Sequence, residues 1–566
     1  MISLTTIKER LKTPKHKGSL ATAANQESRI RFHSKIELSK AESERSASDF
    51  FGFVKKVIPY DKYLTLKEFF QYPADTIPLS DEIYSALEKV FDGRNPVFHY
   101  EFKNEDDAAD WNVYRIEALG EPDVWKTKAF EVMKTAINSV MVVDFASELT
   151  DTPEPYFYFI PVDSIIDIEF VGDHIEWIMF KQSPERLAVY DDEFYRVYEF
   201  DGAEIKSDTP LVQNPHDIGY CPARFFWSDR INVSNPIVKR SPLSPQITAL
   251  NKLLFKILSK DYADLYAAYP ILWGFKQDCS FEDESGNYCS DGLLRTKDDR
   301  NIMVGDGQYK LCPSCSASRF AGPGSFVTID PPESPEDANL REPVGIIPAE
   351  VNSLKYNEDQ IKATKIKIYE AVTGNSIELI KDQAINEDQV KSLLESRKAV
   401  LLKLKTQFEI AQTWVDSTIC RIRYRESFVR ANINYGDEFY LFSADQYLAL
   451  YQNAIKGNLD HQVLDLLQDN FYSTKFRHDS IELQRSFIIR HVAPFNHVAL
   501  STVSDLHSKQ LVASEEYLVK VNFSSLLQKF ERENGSIVYF GLNLPFEKKV
   551  ETIKSALVSY IQVPSN

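Results

Sequence analysis

The sequence predicts an α+β fold, and three observations predict it. Short β-branched and aromatic runs crowd into residues 156–200. Apolar stripes at helical spacing follow Pro245 and again Pro348. One of those stripes, from Val390 to Ile422, continues for about nine turns without Gly or Pro. Hydrophobic residues make up 43% of the 566 positions and aromatics 12%, enough apolar surface to exclude global disorder. At roughly 100–200 residues per domain the length suggests three to five units.

Residues 1–48 are expected to be a mobile basic tail. Lys8, Arg10, Lys12, Lys15 and Lys17 fall close together, and the segment is rich in Ser, Ala and Thr. Helical signals follow over 80–90 and 122–149. In the second, Pro122 suits a first-turn position, and Trp125, Phe130, Met133, Ile137 and Met141 recur at near-helical spacing. The β runs are YFYFI (156–160), IIDIEF (165–170), HIEWIMFKQ (174–182), RLAVY (186–190) and FYRVYEF (194–200). Pro161, Gly172-Asp173, Ser183-Pro184 and Asp191-Asp192 separate them, which predicts an antiparallel meander closed by Asp201-Gly202. No polar cluster recurs on one face, so the sheet reads as structural.

Pro245 then starts a helix carrying Ile247, Leu250, Leu254, Leu258 and Leu265, and Pro270 ends it. Residues 270–345 are rich in Gly, Pro, Ser and Asp. They are too many for a structureless loop inside a compact domain, so they should have structure or function of their own. A helix over about 350–371 is broken by Gly374-Asn375. Asn386-Glu-Asp-Gln389 resembles a capping box and opens a helix of about 38 residues, roughly 57 Å long at 1.5 Å per residue. Further helices are predicted over 444–456, 464–470, 480–489, 514–533 and 547–561.

With 83 acidic against 65 basic residues, the net charge is −18. That balance resists nonspecific clinging to nucleic acid and argues against a repressor or a polymerase-like clamp. It remains compatible with a surface that DNA slides past. No apolar run of about 18 residues predicts a membrane span, and the start MISLTTIKERLK does not resemble a secretory signal. No P-loop, GxGxxG, HExxH or GxSxG motif is present, and the ten histidines are scattered, so the sequence points away from an enzyme.

Four of the six cysteines, Cys279, Cys289, Cys312 and Cys315, lie within 37 residues. Cys312-Pro-Ser-Cys315 is a CxxC knuckle of the kind that supplies two thiolates to a tetrahedral Zn²⁺. The first pair is C-x9-C, which departs from the usual spacing. Four unrelated thiols remain an alternative. A redox CxxC is another, but it would open a helix in a βαβ unit, and none is predicted. Bound structural zinc could replace a hydrophobic core in so small a module. Cys221 and Cys420 fall in predicted core elements.

The order of segments resembles tailed-bacteriophage portal proteins. HDIGYCPARFFW (216–227), NPIVKRSPLSPQITALNKLLF (235–255) and LYAAYPILWGF (265–275) carry the resemblance, with YFIPVDSIIDIEF (158–170) and IPAEVNSLKYNEDQIKATKIKIYEAVTG (347–374). It covers roughly residues 50–500 and implies a portal-like α+β architecture. A β-rich wing (49–240, after the 1–48 tail) leads to a first stem helix (241–269) and a clip (270–346) that carries a zinc-ribbon-like insertion of four cysteines. A second stem helix (347–373), a tunnel loop with the long wing helix (374–435), and a helical crown with the C-terminal region (436–566) complete it. The cysteine module departs from the minimal pattern of the family.

The resemblance further implies a non-enzymatic homo-oligomeric ring, typically of twelve subunits, at one capsid vertex of the virion, assembled in the host cytoplasm. Double-stranded DNA would pass through its channel. Its partners would be further copies of itself, the major capsid protein, terminase and a head–tail adaptor, with no membrane. The tunnel loop falls at AVTGNSIELIKDQAIN (371–386), where Asn375, Lys381 and Asp382 would face DNA; a solvated hinge is the alternative. A different virion ring or adaptor protein, and a zinc-finger-bearing nucleic-acid enzyme, remain open as other readings.

Overall fold

The computed structural model describes residues 2–145, 153–268, 271–275, 279–290, 292–304, 308–317, 326–329, 344–347, 351–374 and 387–561. The fold is mixed α and β, as predicted. It comprises two compact units. Met1–Ser34, Leu79–Pro245 and Tyr369–Asn566 form the first, and Lys35–Pro78 with Gln246–Ile368 the second.

The first unit is built on two larger antiparallel sheets and a two-stranded one. Strands Ile165–Val171, His174–Ser183, Arg186–Tyr190, Phe194–Glu199 and Val212–Pro215 form a five-stranded meander in sequence order. The expected first strand, Tyr156–Ile160, belongs instead to a three-stranded sheet. There it pairs with Val140–Asp144, which also pairs with Ala223–Phe225. Both faces of the meander are covered. Ile178, Phe180, Ala188 and Tyr190 pack into one core, and Trp177, Met179, Leu187 and Val189 into another. Successive strand residues point to opposite faces, so burial on both sides gives continuous apolar runs without polar alternation.

The helical signal from Pro122 stops earlier than predicted. A π-turn over Trp125–Ala129 and a helix over Phe130–Thr135 are followed by the strand Val140–Asp144. Val140, Met141, Val142 and Val143 are all fully buried, and such a β-branched run favours the centre of a sheet over one face of a helix.

The first 34 residues are not the expected mobile tail. Ser3 caps a helix over Leu4–Lys12 by accepting from the Thr6 amide. Ile2 and Ile7 are buried against the Trp177 side of the meander. The basic residues have partners: Arg10 reaches Asp167 and Glu169, Lys15 reaches Glu169, and Lys8 reaches Asp208. A second helix, Lys17–Ser34, places Leu20, Ala23 and Ala24 in the core of the other face.

The long helix is Glu387–Tyr424, 38 residues, as expected. Phe408, fully buried near its middle, meets the rings of Phe91, Phe226 and Trp227 at 4.9, 5.8 and 5.5 Å. Strand Phe428–Asn434 then pairs antiparallel with Val97–Phe102. Helices Ala444–Lys456, His461–Lys475, Ser480–Val492, Ser514–Asn534 and Phe546–Ser559 fall where predicted, and an unpredicted one spans Leu500–Ser508.

The second unit holds the two helices that flank the loop-rich region, Ile247–Ala268 and, up to Ile368, Val351–Thr373. Lys256 Nζ donates to Thr364 Oγ1 across them at 3.0 Å. Helices Lys40–Val57 and Tyr60–Phe69 also belong here. Phe53 packs edge-on to Phe255, Phe69 packs edge-on to Tyr262, and Asn251 donates to Asp49 at 2.8 Å. Between the two long helices, strand Ile271–Phe275 pairs parallel with Phe326–Ile329 and antiparallel with Val344–Ile347. Gly345 lies opposite Trp273, and a Cβ there would meet the indole at 2.3 Å, so the strand pair requires glycine at this position.

Candidate metal centre

The four clustered cysteines meet in the second unit. Cys289 sits in the strand Tyr288–Ser290, which forms a hairpin with Leu293–Arg295. Cys279 is brought alongside by the Cys289 amide, which donates to the Phe281 carbonyl at 3.0 Å. Gly292 holds the turn of the hairpin at φ +81°, a conformation that side chains other than glycine rarely adopt. Its carbonyl accepts from the Cys312 amide at 2.9 Å. Cys312 immediately precedes a one-turn helix, Pro313–Ala317, which carries Cys315. Three chain segments therefore converge through backbone hydrogen bonds.

The sulfur geometry is compatible with a tetrahedral metal site. The four Sγ atoms all lie within 4.8 Å of one another. Cys279 and Cys312 are 3.8 Å apart, and Cys289 and Cys315 are 3.5 Å apart. A tetrahedral ion with metal–sulfur bonds of about 2.3 Å has sulfur–sulfur edges of about 3.8 Å. A disulfide would bring one pair to about 2.0 Å, and all four cysteines are free. The cluster is thus compatible with a zinc site.

Local electrostatics fit the same use. The Phe281 amide donates to Cys279 Sγ and, with the neighbouring thiols, pulls that thiol down to about 7. Burial pushes the Cys289 and Cys315 thiols up. The Gly292 amide points at Cys289 Sγ and offsets part of that rise. Four adjacent thiols cannot all ionise without a cation, whereas a divalent metal would replace their protons. Among the described residues of 279–317, the buried apolar side chains are Leu294 and Cys312, too few for a core.

The knuckle amides of Phe281 and Gly292 did not emerge from sequence reasoning. The signal was present as glycine three residues after Cys289. Asn375, Lys381 and Asp382 lie outside the described residues, as does the Asn386 end of the expected capping box. Cys221 and Cys420 are buried core thiols, as expected. No helix among the described residues is long and apolar enough to cross a membrane. No protein-family model matches the chain, and no curated protein matches it.

Proposed function

We propose that the chain is a portal-like ring subunit with a structural role, forming a channel for double-stranded DNA at a capsid vertex. One observation carries this reading: helix Ile247–Ala268 runs into a strand whose two partners include Val344–Ile347, just ahead of the returning helix Val351–Thr373. This order of helix, strand and returning helix, followed by a 38-residue helix, is the order that the resemblance expects of stem, clip, stem and wing helix. The acidic balance suits a conduit, since each phosphate gripped by Lys or Arg would add salt-dependent affinity and friction. Further copies of the chain, the major capsid protein, terminase and a head–tail adaptor are the partners of this role.

Negative-stain imaging and light scattering of the purified chain test it. Closed rings with an axial channel are expected, of about twelve copies if the family resemblance holds. Compact monomers alone, under conditions where capsid assembly is also reconstituted, would end this reading. The role is non-enzymatic, so ATP or DNA turnover abolished by a single acidic substitution would overturn it as well.

The cysteine centre holds one structural Zn²⁺ per chain in this reading. Four thiolates fill a tetrahedral shell and leave no open position for catalysis. Elemental analysis of protein purified without added metal should return about one zinc per chain. Iron in place of zinc, or well under one metal per chain, would exclude this assignment.

A further inference from the structure

We propose that the first unit carries a binding pocket for the phosphate groups of a small phosphorylated ligand. The pocket has a volume of about 450 Å³, within the range of small-molecule sites. Its walls come from the 170–175 turn of the meander, the 220–239 segment, and the part of the long helix from Trp414 to Arg421.

Its charge is unbalanced. Arg224, Arg230, Lys239 and Arg421 line it together with His174, and Asp173 is the one carboxylate in its lining. Asp173 is already engaged by Arg230 at 2.7 Å. Three cations are left without a counter-charge in a chain whose overall charge is −18. Arg421 lies over the ring of Tyr220 at 5.7 Å and has no ion-pair partner among the described residues, and neither has Arg224.

Lys239 is the decisive residue. It is only 3% exposed, yet among the described residues its ammonium meets no carboxylate and no hydrogen-bond acceptor. Its neighbour is the face of Phe225 at 4.3 Å. Its backbone is fixed on both sides: the amide donates to Asn138 Oδ1 at 2.7 Å, and the carbonyl accepts from Gln26 Nε2 at 2.8 Å. Burial, with Arg230 and Arg224 nearby and against the upward pull of Asp173, lowers its pKa to about 7. The ammonium lines the pocket without being fully enclosed, so an anion seated there would meet it directly while most of the side chain stays buried.

The number and type of donors select phosphate. A single carboxylate would leave most of the positive charge uncompensated, whereas a phosphate or diphosphate matches three to four converging cations. Guanidinium groups present forked donors suited to phosphate oxygens. Tyr220 and Thr418, hydroxyl to hydroxyl at 3.0 Å, add neutral donors at the same wall.

The test is calorimetric titration of the full chain with inorganic pyrophosphate at neutral pH and constant ionic strength. One pyrophosphate per chain with a sub-millimolar Kd is expected. Binding should be accompanied by proton uptake, visible as a dependence of the heat on buffer ionisation. Lys239→Met and Arg421→Gln should each weaken binding by about tenfold or more. Arg421 is exposed, so its substitution stays informative even if the lysine variant folds poorly. Absence of binding at millimolar pyrophosphate overturns the proposal, as does unchanged affinity in both variants. It is equally overturned if pyrophosphate is ignored while the substitutions alter the oligomeric state, because a carboxylate from a second copy would then occupy the pocket.

Discussion

Glu27 should make the stability of the first unit depend on pH between the ordinary carboxylate range and neutrality. It lies on the Lys17–Ser34 helix and is 1% exposed. Its Oε1 accepts from the Asn138 amide at 2.7 Å and from Asn138 Nδ2 at 3.0 Å. Asn138 Oδ1 in turn accepts from the Lys239 amide, so one buried carboxyl orders the turn before Val140–Asp144 and the segment around Lys239. Burial raises the Glu27 pKa from 4.5 to about 7, against the lowering effect of the Asn138 hydrogen bonds and of Arg31. A raised folded-state pKa means that the folded chain holds a proton the unfolded chain has lost. The stabilisation is therefore fully present below 4.5 and disappears as pH rises through 7. At 1.36 kcal/mol per decade, the part of this effect between pH 5 and pH 8 comes to about 2–3 kcal/mol. Glu27→Gln keeps the oxygen that serves Asn138 and removes the charge. Its advantage over the parent should grow by about that amount from pH 5 to pH 8. A chain of this size does not unfold as one two-state system, so hydrogen exchange over 20–34 and 138–144 is the appropriate readout. Taking the difference between the two pH values cancels any packing change caused by the amide. Equal protection differences at both pH values would refute the reasoning.

Three further outcomes follow from other parts of the fold. Phe408→Ala removes the ring that meets Phe91, Phe226 and Trp227 and should cost about 3–5 kcal/mol, measured as lost exchange protection along 404–415; a cost below about 1 kcal/mol would mean the cluster is loosely packed. Asp416, whose carboxyl is pushed up by burial and by Glu121, accepts from Tyr100 at 2.7 Å. Asp416→Asn preserves an acceptor for Tyr100 and should hold or raise exchange protection along 412–420 at pH 8, whereas Asp416→Ala should lower it; equal losses in both would show that the charge is needed. Cys312→Ser should abolish stoichiometric metal and speed exchange over 279–317 while helix Ile247–Ala268 stays protected, and a variant with full metal content would remove Cys312 from the shell.

Legibility in the sequence tracked how each element is buried. The Glu387–Tyr424 helix and most helices of 444–559 bury one stripe, so their 3.6-residue period stands out. The meander was visible because short apolar runs alternate with Pro, Gly and Asp turns. The Lys17–Ser34 helix was hidden because its buried face mixes Leu20, Ala23 and Ala24 with the polar Gln26, Glu27, Ser28 and His33. Buried polar residues with specific partners erase an amphipathic pattern while strengthening the tertiary one. The pairing of Tyr156–Ile160 with Val140–Asp144 was not legible either, since strand runs announce themselves but not their neighbours.

The cysteine centre separates composition from geometry in the same way. Clustering of four thiols was readable, and the C-x9-C spacing weighed against a shared site. The hairpin removes that objection. The Cys289 amide binds the Phe281 carbonyl, which brings two distant ligands side by side without a CxxC turn. Gly292 then performs two tasks at one position: its amide faces the Cys289 sulfur, and its carbonyl receives the Cys312 amide. A side chain at Gly292 would have to adopt φ +81°, so substitution there strains the turn that links both halves of the shell. The four sulfurs are thus supplied by cysteine, but their convergence is specified by one glycine and a few backbone hydrogen bonds, and these are placed by the fold rather than by sequence spacing.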